Sequence, residues 1–85
     1  MFTIAALYHF APLPDPAALR GPLAALCRAQ GVKGSLLLAG EGVNGTIAGS
    51  AAGVAAVIAH LRGWPGFAGL GWKESHAGTP PFVRM

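Results

Sequence analysis

The segment AGEGVNGTIAG at residues 39–49 packs four glycines around one carboxylate, Glu41. Within it, GEGVNG at 40–45 spells GxGxxG, the pattern with which dinucleotide-binding proteins hold a pyrophosphate at a helix N-terminus. Such a site needs a helix directly after the glycines, whereas the following TIAG is typical of a strand. The other phosphate-binding pattern, GxxxxGK[ST], lacks its Lys and its Ser or Thr here. Neither kind of nucleotide site is therefore predicted.

The same segment suits a tight hairpin between two strands, because glycine and asparagine tolerate positive φ. Two interpretations remain open. In the first, the glycines serve only the turn. In the second, the exposed side chains of Glu41 and Asn44 also contact a substrate or a neighbouring domain.

Candidate catalytic and metal-binding side chains are few. Cys27 lies late in a predicted helix, on an apolar stripe with Leu23 and Leu26, away from the helix N-terminus that lowers a thiol pKa. Asp15 is better explained as a helix cap. The histidines lack the spacing of metal ligands; they are His9, His60 and His76. We therefore predict no catalytic residue, no metal site and no cofactor in this chain.

The composition favours a domain that meets a partner. The 85-residue chain is 53% hydrophobic and 11% charged, against about 25% charged residues in typical soluble domains. Part of its surface is expected to contact another domain or subunit, although abundant alanine and glycine can also reflect genomic base composition. The net charge of +3 permits contact with nucleic acid. The candidates for RNA contact are Lys33, Arg62, Lys73 and Arg84. They equally suit ordinary solubilising charges, since no run of basic residues occurs.

Neither membrane insertion nor export is predicted. The most apolar stretch, 51–61, has about 11 residues, whereas a spanning helix needs about 20. The N-terminal MFTIAALYHF lacks the basic region and small-residue cleavage site of a signal peptide. The single cysteine can form no internal disulfide. These features predict a cytoplasmic protein.

Hydrophobic periodicity predicts four strands and two helices. The strands are 2–10, 33–39, 45–49 and 70–75, and the helices are capped by Asp15 and Ser50 and end at Gly31 and Gly63. Pro22 interrupts the first helix, so two helical pieces with a kink near Gly21 are expected. The run Leu36–Leu38 suits a central or doubly covered strand.

The order βαββαβ predicts an α+β fold of the ferredoxin-like class, with two helices on one face of a four-stranded antiparallel sheet. The opposite face stays open to a partner, which includes a second copy of the chain. Alternation along the first strand divides its side chains between the two faces. One set is Ile4, Ala6, Tyr8 and Phe10, and the other is Thr3, Ala5, Leu7 and His9.

Specific motifs run through nearly the whole chain: YHF at 8–10, LAALCRAQGVKGSLLLAGEGVNGTIAGS at 23–50, and WKES at 72–75 followed by PFVRM. They resemble the N-terminal domain of the rhodanese-related tRNA uridine hydroxylase family. Over the longest motif a typical member is similar to GVKGTILLAPEGINGTIAG. Gly40 stands here where the family usually has proline, which predicts a looser entry to the hairpin.

The resemblance implies an acylphosphatase-like fold, in agreement with the predicted element order. It implies a rhodanese domain with an active-site cysteine further along the same chain, so that residues 1–76 form the N-terminal domain and 77–85 begin the linker. The implied activity is oxygen-dependent hydroxylation of the wobble uridine of tRNA to 5-hydroxyuridine. The implied partners are tRNA and that rhodanese domain.

Three functions can be compared with these residues: an acylphosphatase, an accessory domain of a tRNA-modifying enzyme, and a regulatory or assembly module. An acylphosphatase needs an arginine on a glycine-rich loop after the first strand, and the loop APLPD at 11–15 has neither residue type. Two functions remain open: an accessory domain that contacts tRNA or docks the catalytic domain, and a stand-alone regulatory or assembly module that pairs through the open sheet face.

Overall fold

Six elements are formed by residues 2–78, the part of the chain that this computed structural model describes. They are β1 (Phe2–Phe10), α1 (Pro16–Gln30), β2 (Lys33–Ala39), β3 (Gly42–Gly49), α2 (Ala51–Arg62) and β4 (Gly71–Ala77). The predicted βαββαβ order and α+β class are confirmed, as are the bounds of β1 and β2. β4 begins one residue later and ends two residues later than expected. Neither α1 nor α2 is long and apolar enough to cross a membrane.

The sheet is antiparallel throughout, in the order β2-β3-β1-β4. The expectation that the run Leu36–Leu38 forms a central or doubly covered strand is wrong, because β2 lies at an edge. Leu36 and Leu38 pack against the core, whereas Leu37 between them is 66% exposed. A short apolar run predicts that a strand is buried on both faces. In β2 only one face is covered, so only alternate residues of the run contact the core.

Both helices cover the same face of the sheet, and the core lies between them. The core residues that lie on the helices or on the strands are Ala5, Leu7, Leu23, Ile47, Val54, Val57, Ile58 and Leu61. The α2 members of this set recur at i, i+3, i+4 and i+7, which puts them on one side of the helix as an apolar stripe. The alternation predicted for β1 is confirmed, since Ala5 and Leu7 are buried while Ala6 and Tyr8 are exposed.

A smaller cluster closes one end of the core, where the segment between α2 and β4 folds back over the sheet. Phe67 is fully buried there with Leu13 and Val43. The ring of His9 donates a hydrogen bond from Nε2 to the carbonyl of Gly66 at 2.8 Å, which ties this segment to β1. No hydrophobic periodicity predicts the burial of Phe67, because this residue lies in a loop with proline and glycine.

α1 is one helix rather than the two pieces expected. Asp15 accepts a hydrogen bond from the Ala18 amide at 3.2 Å, Pro16 follows it in the first turn, and Gly31 ends the helix at φ 66°. Pro22 removes one backbone hydrogen bond in the second turn. The helix continues across it because the caps and the buried Leu23 hold both sides in place.

The hairpin is tighter than predicted. Ala39 pairs with Gly42, so β3 starts three residues earlier than expected and the turn has only two residues, Gly40 and Glu41. Gly45 lies inside β3 at φ 154°, and a Cβ built on it would overlap the carbonyl oxygen of Ser35 on β2. The glycines of the GxGxxG pattern therefore serve strand pairing and do not form a phosphate-binding loop.

The core analysis makes Ile58, 4% exposed, a test of the packing. We expect Ile58→Ala to lower the free energy of unfolding by about 2–5 kcal/mol, measured by urea denaturation, through lost burial and a residual cavity. Ala55 is exposed on the same helix. Ala55→Ser is the control and should change stability by at most about 0.5 kcal/mol. Equal effects of the two changes would contradict the arrangement of α2.

The hairpin gives a second, paired test. Gly45→Ala should destabilise the chain by about 1–3 kcal/mol, because an L-residue is strained at that φ and its Cβ meets backbone. Gly40 has no positive φ and has open space around its Cβ position. Gly40→Ala should therefore raise stability by about 0.4–1 kcal/mol by restricting the unfolded chain. Thermal unfolding of both variants checks the opposite signs.

Candidate nucleic-acid interface

The face of the sheet away from the helices is made by the even-numbered residues of β1 and β3 and the odd-numbered residues of β2 and β4. This assignment follows from the pairing, because residues directly opposite each other in an antiparallel sheet lie on the same side. We call this surface the open face. No helix of residues 2–78 packs on it.

Two aromatic rings stand on the open face at the middle of the sheet. Tyr8 and Phe10 of β1 are 62% and 67% exposed. Their ring centroids lie 4.9 Å apart with the planes at 63°. Sequence reasoning placed both on one face of β1 but did not single them out as site residues. The signal that could have found them is alternation, which put two large rings on the side away from the helices.

Both candidate lysines of the two edge strands lie on the open face. Lys73 of β4 is opposite Ala6 of β1, and Lys33 of β2 is opposite Ala48 of β3. The two lysines therefore flank the central strands from opposite edges, about 16 Å apart, which combines three strand spacings across the sheet with an offset of two residues along it. This separation is comparable with the reach of a short stretch of nucleic-acid backbone across the sheet.

The two candidate contact residues of the hairpin, Glu41 and Asn44, lie in different parts of the structure. Asn44 is exposed on the open face, directly opposite Tyr8 in the pairing of β1 with β3 and opposite Leu37 in the pairing of β2 with β3. Glu41 lies in the two-residue turn, and its carbonyl accepts a hydrogen bond from the amide of Ala11 at 3.1 Å. Asn44 therefore lies beside the aromatic rings on the open face, whereas Glu41 lies in the turn at the end of the sheet.

The two candidate arginines are not brought to the open face. Arg62 donates hydrogen bonds from Nε and Nη2 to the carbonyl of Ala68, at 3.0 and 2.8 Å, and its guanidinium carbon lies 6.0 Å from the ring centroid of Trp72. Trp72 pairs with the buried Leu7 and so belongs to the helix side of the sheet. Arg84 lies outside the described residues.

The chain's three carboxylates, all within residues 2–78, lie away from the open face. Asp15 caps α1, and Glu41 lies in the hairpin turn. Glu74 is on the helix side, where its carboxylate lies 3.4 Å from Nε2 of His76 and accepts a hydrogen bond from Trp72. The charge on the open face, over the described residues, is therefore positive only.

Metal binding and a reactive thiol are the two kinds of chemistry that can be checked against the described residues. Within 2–78, no group of three or more His, Cys, Asp or Glu side chains could hold a metal ion. Cys27 is half-buried beside a groove of about 290 Å³ between α1 and β2, which Arg20, Arg28 and Lys33 also line. Desolvation by burial raises the pKa of its thiol, which keeps it protonated at neutral pH.

Comparison with known proteins agrees with this fold. Residues 2–85 match the family model described as the UPF0176 acylphosphatase like domain. The chain is 58% identical over its whole length to a tRNA uridine(34) hydroxylase of Jannaschia sp. (strain CCS1), covering 28% of that protein. It is 60% identical over 99% of its length to the protein of the same name from Sinorhizobium fredii, covering 27% of it, and 60% identical over 96% to that of Gluconobacter oxydans, covering 26%.

The chain thus spans about a quarter of the length of these relatives. The match to the family model extends over nearly every residue, and the observed βαββαβ topology is that of an acylphosphatase-like domain. We conclude that the chain belongs to the UPF0176 family through its acylphosphatase-like domain.

Proposed function

We propose that this chain is the non-catalytic, RNA-contacting part of an enzyme that hydroxylates uridine 34 of tRNA. The observation that carries the proposal is the open face, where Lys33 and Lys73 lie at opposite edges of the sheet. Over the described residues no carboxylate shares that face with them. A surface with this charge attracts the phosphate backbone of RNA without reading its sequence.

A catalytic role has little support in the described residues. Cys27 has a raised pKa and lies at the opposite side of the domain from the open face. The GxGxxG segment leads into β3, so it supplies no helix N-terminus to an anion. The hydroxylation named for the relatives is therefore assigned to the part of the enzyme that this chain does not match, which we propose to be a rhodanese domain in the same chain.

The loop after β1 also argues against acylphosphatase activity. A loop that binds phosphate through its backbone needs free amide groups. Here the amides of Ala11 and Leu13 donate to the carbonyls of Glu41 and Gly40, at 3.1 and 2.9 Å. The loop at 11–15 is thus tied to the hairpin, and it contains no arginine.

Docking of another domain or a second copy is the alternative use of the open face. The exposed Leu37 beside Asn44 favours it, because an isolated large apolar side chain loses water on contact with protein. Arg62 and Arg84 remain candidates for RNA contact at other positions, and Glu41 for contact with a neighbouring domain. The proposed binding of tRNA and the single cysteine of this chain support a cytoplasmic location.

The salt dependence of tRNA binding tests the role of the lysines. We expect the double variant Lys33→Ala/Lys73→Ala to bind tRNA more weakly and to flatten the slope of log K against log salt by about 1.5, since each lost phosphate contact removes about 0.7–0.9. The measurement is tRNA affinity at several salt concentrations, with thermal unfolding to confirm that the fold is kept.

The matched control removes two charges from the helix side. Arg20 and Arg28 are exposed on α1, so Arg20→Ala/Arg28→Ala changes the net charge equally without touching the open face. Its slope should stay close to that of the wild type. If both double variants lose the same slope, either net charge or the groove that Lys33 shares with Arg20 and Arg28 accounts for the loss, and the open face is not the binding surface.

The reactivity of Cys27 tests the non-catalytic assignment. Because burial raises its pKa, the rate of alkylation by iodoacetamide should reach its half-maximum at a higher pH than that of a free thiol, whose pKa is about 8.5. Cys27→Ser should leave tRNA affinity unchanged. A profile shifted below the free thiol would indicate an activated cysteine and would contradict the assignment.

A further inference from the structure

We propose that the open face binds unpaired nucleotides, with the rings of Tyr8 and Phe10 as a stacking platform. The inference rests on the proposed function, since it assumes that RNA contacts this face, and it names the form of RNA. The stacking platform is proposed to contact the bases of the RNA, whereas the lysines are proposed to contact its phosphates.

The spacing of the rings suits consecutive bases. Residues two apart on a strand are about 7 Å apart, which places the two side chains along one line of the sheet. The rings meet edge to face at 4.9 Å, and each stays more than 60% exposed. Because every base has a π-face, aromatic rings presented in this way bind single strands with little dependence on sequence.

The neighbours of the rings leave room for a flat ligand. In the sheet pairing Gly71 is directly opposite Tyr8, and Gly42 is directly opposite Phe10. Neither glycine has a side chain to cover the ring. Ala6, the next residue of β1 on the same face, is also small. The open face is thus flat around the platform, which leaves the ring faces accessible.

Polar groups stand beside the platform in positions that match the other parts of a nucleotide. Asn44 is opposite Tyr8, and its carboxamide can both donate to and accept from the edge of a base stacked there. Lys73 is opposite Ala6, which is two residues along β1 from Tyr8. Its ammonium group can therefore reach a phosphate of an RNA strand whose base stacks on Tyr8. A shallow depression beside β1 and β4 is lined by Ile4, Ala6, Lys73 and Ser75, and Glu74, the neighbour of Lys73 in the chain, also contributes to its lining.

Charge and shape favour single-stranded RNA over the other occupants of such a face. A second copy would bring two more lysines against Lys33 and Lys73, and like charges across an interface are repulsive. Duplex RNA hides the faces of its bases inside the helix, so it cannot use a stacking platform. Unpaired nucleotides use the rings, the carboxamide and the lysines together.

The test compares binding of a labelled single-stranded RNA of about eight nucleotides with binding of a duplex of the same length, by fluorescence anisotropy on the 85-residue chain. Tyr8→Leu and Phe10→Leu should each weaken single-strand binding about tenfold and leave the salt slope unchanged. Tyr8→Phe keeps the ring and should stay within about twofold of the wild type.

Trp72→Leu is the matched control, because Trp72 is an aromatic residue 39% exposed on the helix side of the sheet. It should bind the single strand as the wild type does. Thermal unfolding verifies that each variant is folded, which is expected because Tyr8 and Phe10 are exposed.

Three results would overturn the stacking proposal. The first is wild-type affinity of both leucine variants for the single strand; if the lysine variants still flatten the salt slope, the proposed function survives without the stacking. The second is tighter binding of the duplex than of the single strand by the wild type. The third is a dimer in analytical ultracentrifugation that Tyr8→Leu dissociates, which would make the open face an interface between copies.

Discussion

The packing of α1 and α2 onto one side of the sheet places alternate residues of every strand in two different environments. Ala5 and Leu7 meet the apolar stripe of α2, and Ile47 of β3 joins them in the core. A sheet with a period of two cannot bury one set without presenting the other to the opposite side. The open face, with its rings and lysines, is therefore a direct consequence of how the core is built.

This one-sided packing also separates the charges. Lys73 and Glu74 are neighbours in the chain, yet they lie on opposite faces because side chains alternate along β4. The carboxylate of Glu74 remains with His76 and Trp72 on the helix side. Arg62 is held there as well, by the carbonyl of Ala68. A chain with few charges thus places two lysines, and no Asp or Glu, at the open-face positions of the described strands.

Much of the fold could be predicted from the sequence, because the apolar periods of β1 and α2 and the caps Asp15 and Ser50 are local signals. Strand order and the position of β2 at an edge depend on pairing between distant segments, which an apolar run does not reveal. The early start of β3 depends on backbone contact at Gly42, where sequence suggests only a flexible turn.

The candidate site was predicted in part. Lys33, Lys73 and Asn44 are among the candidates that the sequence suggests, and the pairing of the strands puts all three on one face. Nothing local distinguished them from Arg62, whose hydrogen bonds to the Ala68 carbonyl depend on how the segment before β4 folds. The sequence does not identify Tyr8 and Phe10 as site residues, because the exposure of an aromatic ring becomes evident only once the buried face of the sheet is known.

The central claim, that the open face is the surface that meets RNA, is tested most directly by mapping the contact residue by residue. Backbone amide chemical shifts of the isotopically labelled chain, followed during titration with tRNA, locate the contact without any mutation. We expect the shifts to concentrate in the four strands, with Tyr8, Lys33 and Lys73 among the most affected. Shifts confined to α1 and α2 would contradict the claim.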